Sequence, residues 1–286
     1  MLRRLLSSLR ARPAQTSKSQ APRPARSGHV EPLFAMINKM YREPPFDRPE
    51  RLEALSAALQ AMGKALQPNV RGSHALFADD LAVWFRTLGF LDEPEFVAAC
   101  GEHAADPVIR ARIWRVYTLC WAARSCLGVE GDYVDLGCYD GKTVEIIARY
   151  VGFATQRRRY FAYDLFDEPP AEARKAGHGP QLYAEVCARL SPLGEFRVVR
   201  GRLPDTLAAE APRRIAFVQL DLNVAEAEIG CLERVFDRIV PGGMLVLDDY
   251  GFVRYRESQE RERDFFAARA VPVLELPTGQ GLVIKR

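Results

Sequence analysis

VDLGCYDGKT (residues 134–143) joins a short apolar run to a stretch of helical texture across two glycines, Gly137 and Gly141. A strand–turn–helix junction of this kind is the repeating unit of a parallel α/β sheet. The same alternation recurs outward from it. Strands are predicted at Asp132–Leu136, Arg159–Tyr163, Phe196–Arg200, Ile215–Leu220 and Gly243–Leu247, with helices between most of them. The chain closes with VPVLEL and GLVIKR around the turn Pro277-Thr278-Gly279-Gln280, a hairpin signal and not another crossover. The expected fold is therefore α/β, a mostly parallel sheet with an antiparallel C-terminal hairpin, over residues 130–286.

Upstream, residues 30–129 read as helical, a cap and lead-in helix packed on the sheet. Leu52, Leu55, Leu59, Met62 and Leu66 recur at spacings of three and four and share one face. Asp106 and Pro107 form an N-cap and first-turn pair for a helix striped with Ile109, Ile113, Val116, Tyr117, Cys120 and Trp121. Residues 1–29 form a basic tail whose first 28 residues carry seven Lys or Arg and no acid, with disorder as the default state. An Arg- and Ser-bearing start of this kind also occurs in mitochondrial presequences.

The 286-residue chain has a net charge of +3, and removing that tail leaves the remainder net acidic. No basic stripe with interleaved aromatics stands out, so no nucleic-acid partner is expected. No apolar run reaches the roughly 20 residues that cross a bilayer, so no membrane partner is expected either. Six cysteines, at 100, 120, 126, 138, 187 and 231, lack CxxC or metal-finger spacing and read as reduced, buried thiols of a cytoplasmic enzyme.

Chemistry concentrates at the C-terminal ends of the predicted strands, where open α/β sheets bind ligands. The glycines of the first turn let a ligand approach the backbone, and the helix N-terminus beyond offers free N–H groups. The spacing lacks the GxGxxG of a dinucleotide site. Asp164, ending the next strand in FAYDLFDEPP, is placed to accept both hydroxyls of a ribose, although an acid there also serves as a turn cap. With the glycine turn it points to a nucleoside. Asp221, after IAFVQL, and Asp248 and Asp249, after MLVL, bring three acids to neighbouring strand ends. Such a trio needs a cation or an arginine between its members. A hard ion such as Mg²⁺ with oxygen ligands is one solution, and a salt bridge from Asp248 or Asp249 to arginine is another.

The ordered set VDLGCYDGKT, FAYDLFDEPP, GRLPDTL, FVQLDLN and PGGMLVLDDYGF, ending in LPTGQGLVIK, resembles the macrocin O-methyltransferase family over about residues 114–285. The resemblance implies a Rossmann-like class I methyltransferase sheet and methyl transfer from S-adenosylmethionine to sugar hydroxyls with a divalent cation. By position it implies that Asp135, Gly137, Tyr139, Gly141, Asp164, Gly201 and Arg202 bind the donor. It further implies that Asp221, Asp248 and Asp249 ligate the metal.

Two departures qualify it. Tyr139 stands where many such enzymes have a mid-loop glycine. Asn223 stands where the sugar methyltransferases carry a second aspartate as candidate base, and an amide cannot accept a proton at neutral pH. Asp221 and Asn223 are accordingly the expected catalytic pair, with Asn223 orienting the acceptor. A metal-bound water, His178 or solvent is left to take the proton, and His178 itself reads as a loop histidine. The expected acceptor is a small molecule or glycan, recognised by the helical region and the loop 166–181. Trp84, Phe85 and Phe90 read as core before they read as an acceptor pocket. A phenol or catechol methyltransferase and a non-catalytic S-adenosylmethionine-binding partner protein remain as alternatives. A homo-oligomer is compatible with all three.

Overall fold

A computed structural model of the chain describes residues 75–84, 86–167 and 177–286. The basic tail, the leucine stripe of 48–66 and Phe85 lie outside the described residues. Strands β1 (Ala75–Ala78) and β2 (Leu81–Trp84) form an antiparallel hairpin. Helices α1 (Pro94–Cys100), α2 (Pro107–Ala111) and α3 (Ile113–Ser125) follow.

The span read as helical thus contains a hairpin that periodicity did not reveal. Its turn is Asp79-Asp80, both at positive φ (55° and 54°), the backbone that two-residue hairpin loops require. Aspartate tolerates this conformation but signals it less clearly than Asn-Gly. The Asp106–Pro107 cap is present, with Asp106 Oδ1 accepting from Val108 N at 2.8 Å. The helix beyond it breaks at Arg112, which separates α2 from α3, and within α3 Trp121 faces outward at 44% exposure. Trp121 therefore leaves the expected stripe, while Ile109, Val116 and Cys120 stay buried.

The sheet comprises β3 (Asp132–Leu136), β4 (Tyr160–Asp164), β5 (Phe196–Arg200), β6 (Ile215–Leu220), β7 (Ile239–Leu247), β8 (Leu274–Glu275) and β9 (Gly281–Ile284). Its order is β5-β4-β3-β6-β7-β9-β8. The first five strands pair in parallel, and β9 lies antiparallel to both β7 and β8. Helices α4 (Lys142–Tyr150), α5 (Pro180–Leu190), α6 (Leu207–Glu210), α7 (Ala225–Val235) and α8 (Arg256–Ala267) complete the fold. Alternation along the strands divides the core. Tyr133, Phe217 and Val246 pack with α3, α4 and α5, while Val134, Val218 and Leu245 pack with α7 and α8.

Strand β7 starts at Ile239, earlier than the predicted Gly243. Pro241-Gly242-Gly243 runs inside the strand as an irregularity, since pairing jumps from Ile215↔Ile239 to Phe217↔Met244. Gly243 has no room for a side chain, because a Cβ there would lie 2.9 Å from the Ala216 carbonyl oxygen.

The chain runs outward from β3 through β4 to β5, then returns to place β6 on the other side of β3. That reversal leaves a crevice at the C-terminal ends of β3 and β6, the usual ligand position in open α/β sheets. Among the described residues, no helix is long and apolar enough to cross a membrane. All six cysteines are free thiols, five of them buried.

Candidate active site

The loops after β3, β4, β5 and β6 enclose a cleft of about 160 Å³ at this switch point. Gly137, Asp164, His178 and Asp221 line its polar side, and Leu203, Leu222, Val224 and Ala227 its apolar side. A larger cleft of about 750 Å³ opens between Arg157–Arg159 and Arg213–Arg214, beside the N-terminal ends of β3 and β4. It contains none of the motif residues.

Asp164 ends β4 and is 8% exposed. Its Oδ2 accepts from Tyr139 N at 2.7 Å and its Oδ1 from Leu165 N at 2.7 Å. The β3 turn is thereby tied to the end of β4. His178 Nε2 lies 3.3 Å from Asp164 Oδ1, with the histidine side chain 4% exposed. His178, read from the sequence as a loop residue, is a wall of the cleft.

Gly137 lines the cleft, and its achiral backbone (φ 109°) serves packing as well as access. A Cβ there would sit 2.0 Å from the Asp221 carbonyl oxygen, so the β3 and β6 loops meet only across a glycine. Gly201 lines the cleft and donates its N–H to the Asp164 carbonyl at 3.0 Å, and Arg202 stands beside it. Gly141 does not line the cleft. It precedes α4 with a left-handed φ of 72°, and a Cβ there would crowd Val186 of α5 at 3.2 Å, so its part is to start the helix. Tyr139, also left-handed (φ 47°), sets its ring 5.5 Å from the His178 ring at the cleft's edge.

Asp135 is 1% exposed, and neither carboxylate oxygen has a hydrogen-bond partner. Burial, reinforced by the negative charges of Asp221, Asp164 and Asp248, pushes its carboxyl well above the usual range. Asp135 does not line the cleft; the Asp164 carboxylate lines it, between the Gly137 and Gly201 turns, as a ribose site requires. The residues present therefore fit S-adenosylmethionine.

The metal set is not assembled. Asp248 is 5% exposed, its Oδ1 accepting from Gln280 Nε2 at 2.9 Å and its Oδ2 bonded to Arg115 Nη2. The same nitrogen bonds Asp249 Oδ1 at 3.0 Å. Asp221 Oδ1 accepts from Asn223 Nδ2 at 2.5 Å, and Asn223 Oδ1 accepts from the Tyr255 hydroxyl. Among the described residues no group of three acid, histidine or cysteine side chains converges to hold an ion. The arginine salt bridge, the other solution open to an acid trio, is the one adopted. Burial opposes the charge of Arg115, but Asp248, Asp249 and Asp221 outweigh it and hold its pKa above the ordinary value. Burial and the Asp248 charge push Asp249 up to about 6 against the pull of Arg115.

Arg115, Gln280 and Tyr255 were not legible as site residues. Arg115 is 133 positions from Asp248 and is the one charged residue on the buried face of its helix. Within these spans, only the acid trio's need for a counter-charge signalled that an arginine would come to it.

Residues 192–273 match the family described as Macrocin-O-methyltransferase. The chain is 26% identical over 189 residues to the 8-demethyl-8-(2,3-dimethoxy-alpha-L-rhamnosyl)-tetracenomycin-C 4'-O-methyltransferase of Streptomyces olivaceus, covering 55% of this chain and 72% of that protein. It is 26% identical over 203 residues to the mycinamicin III 3''-O-methyltransferase of Micromonospora griseorubida, covering 62% and 80%. Among solved structures, the O-methyltransferase NovP aligns with a TM-score of 0.52 at 18% identity, over 80% of this chain and 98% of that one. The fold is that of the class I methyltransferases. The resemblance to the macrocin O-methyltransferase family read from the motifs is borne out, and the chain is an O-methyltransferase.

Proposed function

We propose that the protein transfers the methyl group of S-adenosylmethionine to a sugar hydroxyl of a glycosylated small molecule, as a cytoplasmic enzyme. The observation that carries this reading is Asp164, a buried carboxylate at the end of β4, tied to the β3 turn and facing a nucleoside-type cleft. The sugar follows from the relatives, both O-methyltransferases by name, one of them named for a rhamnosyl-bearing substrate. S-adenosylmethionine supplies, when bound, a methyl group on a sulfonium that an oxygen placed in line can attack.

The chain's own residues do the rest. Asp164 accepts hydrogen bonds from the ribose, and Leu203, Leu222, Val224 and Ala227 shield the base from water. Asp221 lines the cleft between β3 and β6 and takes the proton from the acceptor hydroxyl. Asn223 steadies Asp221 Oδ1, and Tyr255 steadies Asn223 in turn. Burial, together with the charges of Asp249 and Asp221, pushes the Tyr255 phenol up, so it stays protonated as a donor. The residues do not fit the divalent cation that the resemblance implies, so none of these steps involves one. A catechol methyltransferase, which would chelate its substrate on that metal, is disfavoured on the same geometry.

The test is incubation of the purified protein with methyl-labelled S-adenosylmethionine and a panel of rhamnosylated aglycones and catechols. Label on the sugar supports the reading. Label on catechols alone, or tight donor binding with no transfer to any acceptor, would replace it with one of the two alternatives.

Substituting Asn223→Asp is expected to lower turnover by about tenfold at neutral pH, despite restoring an acid. The new carboxylate would stand 2.5 Å from Asp221 Oδ1, so the pair would hold a shared proton at neutral pH and Asp221 could not take up the acceptor's. Steady-state kcat at saturating donor measures this, and a large gain would instead show that Asn223 marks a degenerate site.

A further inference from the structure

Arg115 occupies the place where three neighbouring aspartates would otherwise call for an external cation. It is 9% exposed. Its Nη2 bonds Asp248 Oδ2, the Asp248 carbonyl oxygen at 3.0 Å and Asp249 Oδ1 at 3.0 Å, and its Cζ lies 5.0 Å from the centroid of the Phe252 ring.

All three bonds are made by Nη2, while Nε is buried without a partner, and the neighbouring residues fix the helix start and the acids. Asp79, in the turn of the β1–β2 hairpin, accepts from Trp114 N and Arg115 N at 3.0 Å each, which fixes the start of α3. The remaining Asp248 oxygen is taken by Gln280, a fully buried side chain braced by Thr278 Oγ1 at 3.0 Å. On the third acid, Asn223 presents an amide N–H to Asp221 Oδ1 and turns its carbonyl oxygen to Tyr255.

We propose that Arg115 is the built-in cation of this acid trio, and that the site works without a divalent ion at Asp248 and Asp249. A divalent ion needs carboxylate oxygens turned toward one point with room for its waters. Here oxygens of Asp248 and Asp249 are turned to Nη2 of a guanidinium, and an incoming ion would have to displace that buried, charged side chain. Arg115 is a positioning residue. It holds Asp248 and Asp249 in place behind Asp221 and balances their charge, which leaves Asp221 as the carboxylate that meets the acceptor. That last role rests on the proposed function, whereas the exclusion of metal does not.

The experiment is a Mn²⁺ titration of the metal-stripped full chain, read by electron paramagnetic resonance, beside Arg115→Lys, Arg115→Gln, Asp248→Asn and the Arg115→Gln, Asp248→Asn double variant. Wild type and Arg115→Lys are expected to show no saturable Mn²⁺ binding up to about millimolar metal. Arg115→Gln is expected to gain one site at least about tenfold tighter than any residual binding in wild type, lost again in the double variant. A stoichiometric site in wild type that Asp248→Asn removes would overturn the inference, and so would an Arg115→Gln protein that folds and stays metal-free. If Arg115→Gln does not fold, the comparison of wild type with Asp248→Asn decides. Calorimetry with S-adenosylmethionine on the same samples tells a failure here from a failure of the methyl-transfer reading.

Discussion

Asp164→Ala is expected to weaken S-adenosylmethionine binding by roughly 10³-fold in isothermal titration, well beyond what loop loosening alone would cause. Hydrogen bonds to a charged acceptor contribute about 1.5–3 kcal/mol each, and a ribose offers two hydroxyls, so the loss is on the order of 3–5 kcal/mol. The side chain also binds Tyr139 N and Leu165 N, and these contacts shape the cleft. Asp164→Asn separates the two effects. It keeps one acceptor oxygen for the backbone and loses the charge that a diol prefers, so it is expected to fall between wild type and alanine. His178→Ala completes the comparison, because His178 stands on the same carboxylate. A dissociation constant for Asp164→Ala within threefold of wild type would remove the ribose assignment and with it the central argument for this donor.

Much of the sheet could be read in advance because its signal is local. Strands β3, β5 and β6 coincide with their predicted bounds, and β4 is displaced by one residue. β3, β4 and β6 are short apolar runs buried on both faces, which leaves little room for another reading, whereas β5 at the sheet edge keeps Arg197 and Arg200 exposed. Features that depend on distant partners could not be read this way. The β1–β2 hairpin turns on two aspartates, of which Asp79 is held in place by the helix start it caps 35 and 36 residues later. Gly137 was legible as a ligand-side glycine, but its tight approach to the Asp221 carbonyl requires knowing that β6 lies beside β3. The acid trio illustrates both sides. Its need for a positive charge follows from the sequence, while the identity of that charge depends on where α3 docks. Metal and arginine both satisfy the same electrostatic demand, and only the fold chooses between them.

Glu262→Gln is expected to stabilise the protein by about 3 kcal/mol at pH 7, with the gain shrinking to under about 1 kcal/mol near pH 5. Glu262 lies in α8 among Ser258, Phe265 and Phe266, on the helix's buried stripe, and is 3% exposed. Burial, reinforced by the charges of Glu228 and Asp249, pushes its carboxyl from 4.5 up to about 9. A carboxyl whose folded pKa exceeds its unfolded one binds its proton more tightly in the native state. Its favourable contribution is therefore complete below about 4.5 and is lost as pH rises toward about 9. Glutamine keeps the shape and cannot ionise, so it removes that loss. For a domain of this size the gain corresponds to roughly 5–10 °C in Tm at neutral pH. Thermal melts of both proteins from pH 5 to 8 measure it, and parallel curves with a constant offset would show that Glu262 is ionised in the native state. The buried acid also bears on the site, because Glu228, whose charge helps raise it, accepts from Asn223 N at 2.9 Å. A proton held on Glu262 at neutral pH spares the layer beneath Asn223 and Asp249 a further negative charge.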